Sequence, residues 1–153
     1  MGLPESELIK EEIVLRDLKL SREVMLSKKS MIRWLALSLG LISPNETRTL
    51  MLDVFEVLLY FHFKRKNPNI HDILGRLGKR KKEEPNPKAV RYHLLQLKHK
   101  GIIDSKQRKY LFITGSLPEN SDLSSSLKNN YNKTLESSFK KIEKVLKALE
   151  RSY

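Results

Sequence analysis

Asn86-Pro87-Lys88-Ala89-Val90-Arg91-Tyr92-His93-Leu94-Leu95-Gln96-Leu97-Lys98-His99-Lys100-Gly101-Ile102-Ile103-Asp104-Ser105-Lys106-Gln107-Arg108-Lys109-Tyr110-Leu111-Phe112 is the stretch from which the rest of the chain is read. Asn86 suits a helix N-cap, since its side chain accepts from orphan backbone amides. Pro87 suits the first helical position, where no amide is needed. Ala89, Val90, Leu94 and Leu97 fall at helical spacing and give one apolar face, with Lys88, Arg91, Tyr92, Gln96 and His99 directed elsewhere. Gly101 supplies the left-handed residue that ends such a helix. Beyond it, Ile102 and Ile103 read as a short strand and Asp104 to Gln107 as a polar turn. Arg108 to Ile113 reads as the return strand, with Tyr110 and Phe112 on one face. The expected unit is helix, glycine, hairpin.

Working upstream, Lys79-Arg80-Lys81-Lys82-Glu83-Glu84-Pro85 reads as a basic loop between Gly78 and Asn86, itself a candidate for phosphate contact because four adjacent cations repel unless solvated or neutralised. Asn69 is expected to cap a short helix, Ile70 to Leu77, stopped by Gly78. Ser43-Pro44-Asn45-Glu46 has the pattern of a capping box with proline at the first position. The helix predicted from it runs to about Lys64 and is apolar on most sides through Leu50, Leu52, Val54, Phe55, Leu58, Leu59, Phe61 and Phe63, so it needs cover on most sides. Asp53, Glu56 and His62 interrupt that apolar run. Further back, two lead-in helices are predicted. One covers Glu5 to Leu20 through Leu8, Ile9, Ile13, Val14 and Leu18; the other is capped by Ser21 and ends at Gly40. Trp34, the lone tryptophan, reads as core or interface.

Downstream, Thr114 to Pro118 and Asn120 read as a loop. Leu123, Leu127, Tyr131, Leu135, Phe139, Ile142, Leu146 and Leu149 then recur every three or four residues. They predict one long amphipathic helix, with a polar run over Ser121 to Ser126 where it starts late or frays. Lys140, Lys141, Lys144 and Lys147 lie towards its C-terminal end, as the helix dipole favours. The expected organisation is an N-terminal helical extension over 1–42, a central domain over 43–115, and a C-terminal helix over 116–153. There is no internal repeat.

The residues Ala89-Val90-Arg91-Tyr92-His93-Leu94, with Leu97 and Lys98-His99-Lys100-Gly101-Ile102-Ile103 leading into a basic hairpin, resemble the second half of a winged helix-turn-helix domain. The likeness is to prokaryotic, including archaeal, regulators of the ArsR and MarR type. It covers roughly Thr47 to Ile113. It implies a mainly α fold with a small β-hairpin wing, in which the helix starting at Pro87 enters a DNA groove and His93 packs beneath it. It also implies that Lys106, Arg108 and Lys109 lie along the neighbouring backbone or minor groove, and that terminal helices form a homodimer. Here the dimer would run through Leu127, Tyr131, Leu135, Phe139, Ile142, Leu146 and Leu149. The alternative is that the last helix folds back on the N-terminal helices of its own chain. The loop at 79–85 departs from the family, whose turn is usually 3 to 4 residues.

Groove reading needs long polar side chains on the leading face of a helix, flanked by cations. Lys88, Arg91, Tyr92 and Gln96 are the candidates: Arg91 for guanine, Gln96 for adenine, either for phosphate. Lys79, Arg80, Lys81 and Lys82 join them from the loop. Leu95, beside Leu94, turns an apolar group either towards that face or towards an N-terminal helix.

The charge distribution points the same way. The net charge is +12; residues 1–63 hold 8 lysines and arginines against 9 acids, residues 64–109 hold 15 against 4, and residues 110–153 hold 7 against 5. A solubility surface would spread the excess; a polyphosphate-binding face concentrates it. At 153 residues there is enough chain for about one core. The absence of cysteine excludes disulfides, thiol catalysis and thiolate metal sites. No run approaches a membrane span, and Glu5, Glu7, Glu11 and Glu12 are unlike a signal or transit peptide, so a cytoplasmic, nucleoid-associated location is expected. The histidines, His62, His71, His93 and His99, show no zinc-ligand spacing, and no phosphate-binding glycine loop or catalytic triad pattern is present. The sequence therefore predicts a non-enzymatic, dimeric, sequence-preferring binder of double-stranded DNA, a transcription regulator, with no cofactor. The rivals are a winged domain used as a protein adaptor and a non-specific chromatin or RNA binder.

Overall fold

The most apolar segment of the sequence becomes the hub of the fold. In the computed structural model, which describes residues 2–114 and 122–153, every residue from Val54 to Leu59 is buried. They belong to α2 (Leu50–Phe63), which packs against α1 (Lys28–Ser38), α3 (Ile70–Lys81) and α4 (Pro87–His99). After α4 come β1 (Ile103–Lys106), β2 (Lys109–Phe112) and the long α5 (Leu123–Ser152). The chain is thus mainly helical, with a small antiparallel hairpin. It divides into two units, Met1–Leu111 and Phe112–Tyr153.

Local chemistry sets several boundaries as the sequence suggests. Asn86 Oδ1 accepts from the amides of Lys88 (3.0 Å) and Ala89 (3.4 Å), with Pro87 opening α4. Past its end, Gly101 has φ +74° and the Ile102 amide reaches back to the Leu97 carbonyl at 3.1 Å, the closing bond of a Schellman turn. Asn69 and Asp72 form a reciprocal capping box at the start of α3. Asp122 caps α5 by accepting from the Ser125 amide at 2.7 Å, and that bond holds its carboxyl below the usual carboxylate range. Beyond Thr114, the loop expected up to Asn120 lies outside the described residues, as does Ser121.

Other boundaries are corrected. Glu5 to Leu20 is not a helix: after a short 3-10 turn at Pro4–Leu8 the chain carries no regular structure until Glu23–Leu26, a second 3-10 turn, and α1 then begins at Lys28, capped by Ser27 rather than Ser21. The segment instead straps α1. Arg16 and Ser38 join backbone to backbone at 2.8 Å, the Ser38 hydroxyl donates to the Arg16 carbonyl at 2.9 Å, and Trp34 Nε1 donates to the Lys19 carbonyl at 3.0 Å. The Arg16 guanidinium donates to the carbonyls of Leu37 (2.8 Å) and Ile42 (2.9 Å), which supplies partners to backbone groups at and beyond the C-terminus of α1. Leu8 and Ile9, apolar positions of the predicted helix, are exposed.

Ser43 to Glu46 forms a turn closed by the Glu46 amide on the Ser43 carbonyl, and the Glu46 carboxylate accepts from the Arg48 amide instead of reaching back to Ser43. Helix α2 therefore starts at Leu50. Gly78 does not stop α3, which continues to Lys81 and ends on Lys82 at φ 58°. The hairpin turns at Gln107 and Arg108, both with positive φ (52° and 64°), the geometry that gives a two-residue turn the twist of its strands. The Tyr110 amide donates to the Pro68 carbonyl at 2.8 Å, so the loop before α3 lies beside the second strand.

Gly40 and Gly101 have similar positive φ, yet differ in their surroundings. A Cβ on Gly40 would lie 2.4 Å from Val14 Cβ in the strap, while one on Gly101 would meet nothing within 4 Å. Gly101→Ala is expected to lower the free energy of unfolding by about 1 kcal/mol, from backbone strain alone. Gly40→Ala should lose clearly more, on the order of 2 kcal/mol or above once the collision is added. Urea denaturation of the two variants measures the difference; equal losses would mean the strap does not hold its place against α1.

Candidate functional site

Helix α4 divides by phase. Val90, Leu94 and Leu97 are fully buried, which leaves Lys88, Arg91, Tyr92, Leu95, Lys98 and His99 exposed. Tyr92 is 59 % exposed and Leu95 50 %, so the outer face carries an aromatic and an aliphatic group among the cations. Lys88 and Arg91 form no side-chain hydrogen bond or ion pair with any described residue. The same holds for Lys106, Arg108 and Lys109 on the hairpin, all exposed, with Arg108 in the turn itself. The hairpin is tied to the end of α4: the Lys98 ammonium donates to the Ser105 hydroxyl at 3.1 Å and stands 3.9 Å from the Asp104 carboxylate.

Gln96 differs from its expected role. It is half-buried, its Nε2 donates to the Tyr92 hydroxyl at 3.1 Å, and its Oε1 lies 3.1 Å from His93 Nδ1. Both ends of the amide are thus engaged within the helix, and reading adenine would require them to let go. The Tyr92 and His93 rings meet edge to face at 5.6 Å. Gln96 therefore positions its neighbours in this structure, and His93 is half-buried rather than core.

The basic run 79–85 is the main correction. Lys79, Arg80 and Lys81 are not in a loop; they form the last turn of α3. Arg80 meets the Glu56 carboxylate at 2.5 Å and Lys81 meets Asp53 at 2.6 Å, both acids on α2. Glu56 is only 5 % exposed, and a carboxylate that buried requires a cation. Arg76, one turn earlier, stacks its guanidinium over the Tyr60 ring at 3.6 Å from the centroid. Two of the cations expected to meet phosphate are therefore occupied by the fold. The signal was present in the sequence, since Asp53 and Glu56 stand one helical turn apart in an otherwise apolar helix.

Lys79 and Lys82 remain exposed and without ion pairs to described residues. They line an open groove between α3 and α4 together with Leu74, Gly75, Gly78 and Pro87, which brings them beside the first turn of α4. Nothing lies within 4 Å of where a Cβ on Gly75 would sit, so the backbone of α3 is open on that side. Glu83 and Glu84 line the groove too and reduce its positive potential. Among the described residues, no group of three or more histidines and acids is placed to hold a metal ion, and no helix is long and apolar enough to cross a membrane.

Of the eleven candidate residues, Lys88, Arg91 and Tyr92 share the outer side of α4, Lys106, Arg108 and Lys109 share the hairpin, and Lys79 and Lys82 share the groove. Arg80, Lys81 and Gln96 are held by internal partners. Leu95 is a further exposed member of the α4 face. No family model, no curated protein and no solved structure matches the chain.

Removing the partner of a buried carboxylate is strongly destabilising, whereas removing a solvated lysine is nearly neutral. Arg80→Ala is expected to lower stability by roughly 2 to 4 kcal/mol, somewhat less than for a fully enclosed pair because the arginine is partly exposed. Lys82→Ala should change it by less than about 0.5 kcal/mol. Thermal melts of both variants test the assignment, and a silent Arg80→Ala would return that residue to the pool of ligand-binding cations.

Proposed function

We propose that this chain is a double-stranded DNA-binding protein of winged helix-turn-helix type, with α3 and α4 as the helix pair, α4 as the groove-reading helix and β1–β2 as the wing. It acts as a dimeric, sequence-preferring transcription regulator on the nucleoid, without catalysis and without a cofactor. One observation carries the reading: Lys88 and Arg91 on α4, and Lys106, Arg108 and Lys109 on the adjoining hairpin, are exposed and unpaired within the described residues, while Arg80 and Lys81 of the same basic stretch are neutralised internally. Cations left unpaired on a helix and on the hairpin tied to its end suit a phosphate backbone bordering a groove. The order of elements, helix α4 followed by a glycine and a short hairpin, supports the same layout.

The adjacency of Tyr92 and Leu95 favours the second reading, a winged domain that docks an acidic protein, because a partly apolar centre ringed by cations also suits a protein partner. Non-specific chromatin or RNA binding differs from both in its indifference to duplex sequence.

Selection of bound sequences from random duplexes, followed by binding titrations at several salt concentrations, tests the proposal. With roughly 6 to 10 phosphates neutralised per dimer, affinity should fall by about 10³ to 10⁵ between 50 and 200 mM salt. Arg91→Ala should weaken the selected site by about 1 to 3 kcal/mol if it reads a base, relaxing preference at one position; if it holds a phosphate, binding weakens uniformly and the salt slope drops by about 1. Affinity that is flat across that salt range, or selection without enrichment, removes the regulator reading.

A further inference from the structure

Helix α5 changes the rule of its apolar stripe at Leu135. Up to that point Leu123, Leu127, Tyr131 and Leu135 recur at every fourth residue; from there Leu135, Phe139, Ile142, Leu146, Leu149 and Tyr153 alternate steps of four and three. A constant step of four drifts about 40° around the helix each time, whereas a four-three alternation keeps a straight seam for a second helix. Burial changes at the same residue. Leu123, Leu127 and Tyr131 are half-buried, while Leu135 is 47 % exposed and every later member of the seam is exposed. Extended upstream, the same register would put Asn132 and Lys128 in the seam, so it begins at Leu135.

We propose that residues 135–153 pair with the same segment of a second copy as a parallel, two-stranded coiled coil. Phe139, Leu146 and Tyr153 occupy the a positions, and Leu135, Ile142 and Leu149 the d positions. This deepens the dimeric reading above and rests on it for its biological purpose.

The area and the charges select the occupant. The exposed apolar surface on this seam, with Val145 at a flanking g position, is on the order of 600 Å² per copy, close to the roughly 800 Å² per partner of a standard interface. Glutamate stands at every e position, Glu136, Glu143 and Glu150, and the g positions are Ser138, Val145 and Ser152. In a parallel pair e faces g of the partner, so each glutamate meets an uncharged neighbour. In an antiparallel pair e faces e, which lines glutamates of both chains along one edge. Three- and four-stranded bundles bury the e and g columns, which a glutamate at each e resists. Each chain also supports its own helix, with Lys147 bonded at 2.8 Å to Glu143 one turn before it.

Sedimentation equilibrium of the full chain without DNA tests the stoichiometry. Twice the monomer mass is expected, in a concentration-dependent equilibrium. Phe139→Lys with Leu146→Lys should weaken association by about 100-fold or more with the circular dichroism helix signal retained, since both residues are exposed in the single chain. Orientation is read by cross-linking, which the cysteine-free sequence makes clean. Leu149→Cys alone should form a disulfide dimer under mild oxidation, because equal d positions face each other only in the parallel arrangement. A wild-type monomer at about 100 µM, a trimer or tetramer, a dimer untouched by the double lysine variant, or cross-linking only between Phe139→Cys and Leu149→Cys chains would each overturn the proposal. A dimer that ignores duplex DNA keeps the coil and removes the regulator reading; a monomer that binds duplex with a steep salt dependence does the reverse.

Discussion

Glu56 lies in the most thoroughly buried helix of the first unit, and the need to neutralise it governs how the basic stretch is divided. A carboxylate withdrawn from water loses several kcal/mol of solvation that only a close cation and good geometry offset. Arg80 supplies that cation, and Lys81 does the same for Asp53. Both pairs join the last turn of α3 to α2, so α3 runs on through Gly78, a residue that would otherwise favour ending it. The link between the third and fourth helices is shortened accordingly, to residues 82–86, and α4 begins where its cap and proline require.

The charge excess of residues 64–109 therefore serves two purposes. Arg80 and Lys81, with Arg76 stacked on Tyr60, hold the helices together. Lys79, Lys82, Lys88, Arg91 and the hairpin cations form no such internal pairs among the described residues. Net charge alone does not distinguish these groups. The pairing does, and it leaves exposed cations on the outer side of α4, at its first turn, on the hairpin, and at Lys64, Arg65 and Lys66 past the end of α2. On α4 itself the Tyr92–Gln96–His93 set uses up the polar capacity of Gln96, which leaves Arg91 and Lys88 as the long side chains without an internal partner.

What was legible in the sequence was what neighbouring residues decide. Asn86 with Pro87, Asn69, and Gly101 after a helical run each settle a helix end through bonds only a few residues long, and each end was readable. The stripe from Leu123 to Leu149 was equally clear, because apolar residues recur every three or four positions along a helix of thirty residues. Glu5 to Leu20 misled because its apolar residues happen to fall near a helical period, while its conformation is set by hydrogen bonds from Arg16 to carbonyls 21 and 26 residues away. Ser43 to Glu46 had the letters of a capping box, but the Glu46 carboxylate turned forward to Arg48. At the site, the exposure of Lys88, Arg91 and Tyr92 followed from their phase on α4. The fate of Arg80 and Lys81 depended on acids 24 and 28 residues earlier on another helix, which no local pattern in the basic run reveals.

The two surfaces proposed to act outside the chain differ in their physics, and the difference separates their roles. Binding at α4 and the hairpin would be driven by release of counterions from phosphate, so it weakens steeply as salt rises. Pairing along Leu135 to Tyr153 would be driven by apolar burial, with Glu143 at its flank paired to Lys147 of the same helix, and salt affects it little. The seam is short, however, and a short coil leaves much of the protein unpaired at low concentration. Two copies held on one duplex have a high effective concentration for each other, which completes the coil without any new contact. By linkage, the coil then raises duplex affinity by the same factor that the duplex raises pairing. Salt would thus act on the assembly almost entirely through the basic face, even though the apolar seam fixes its stoichiometry.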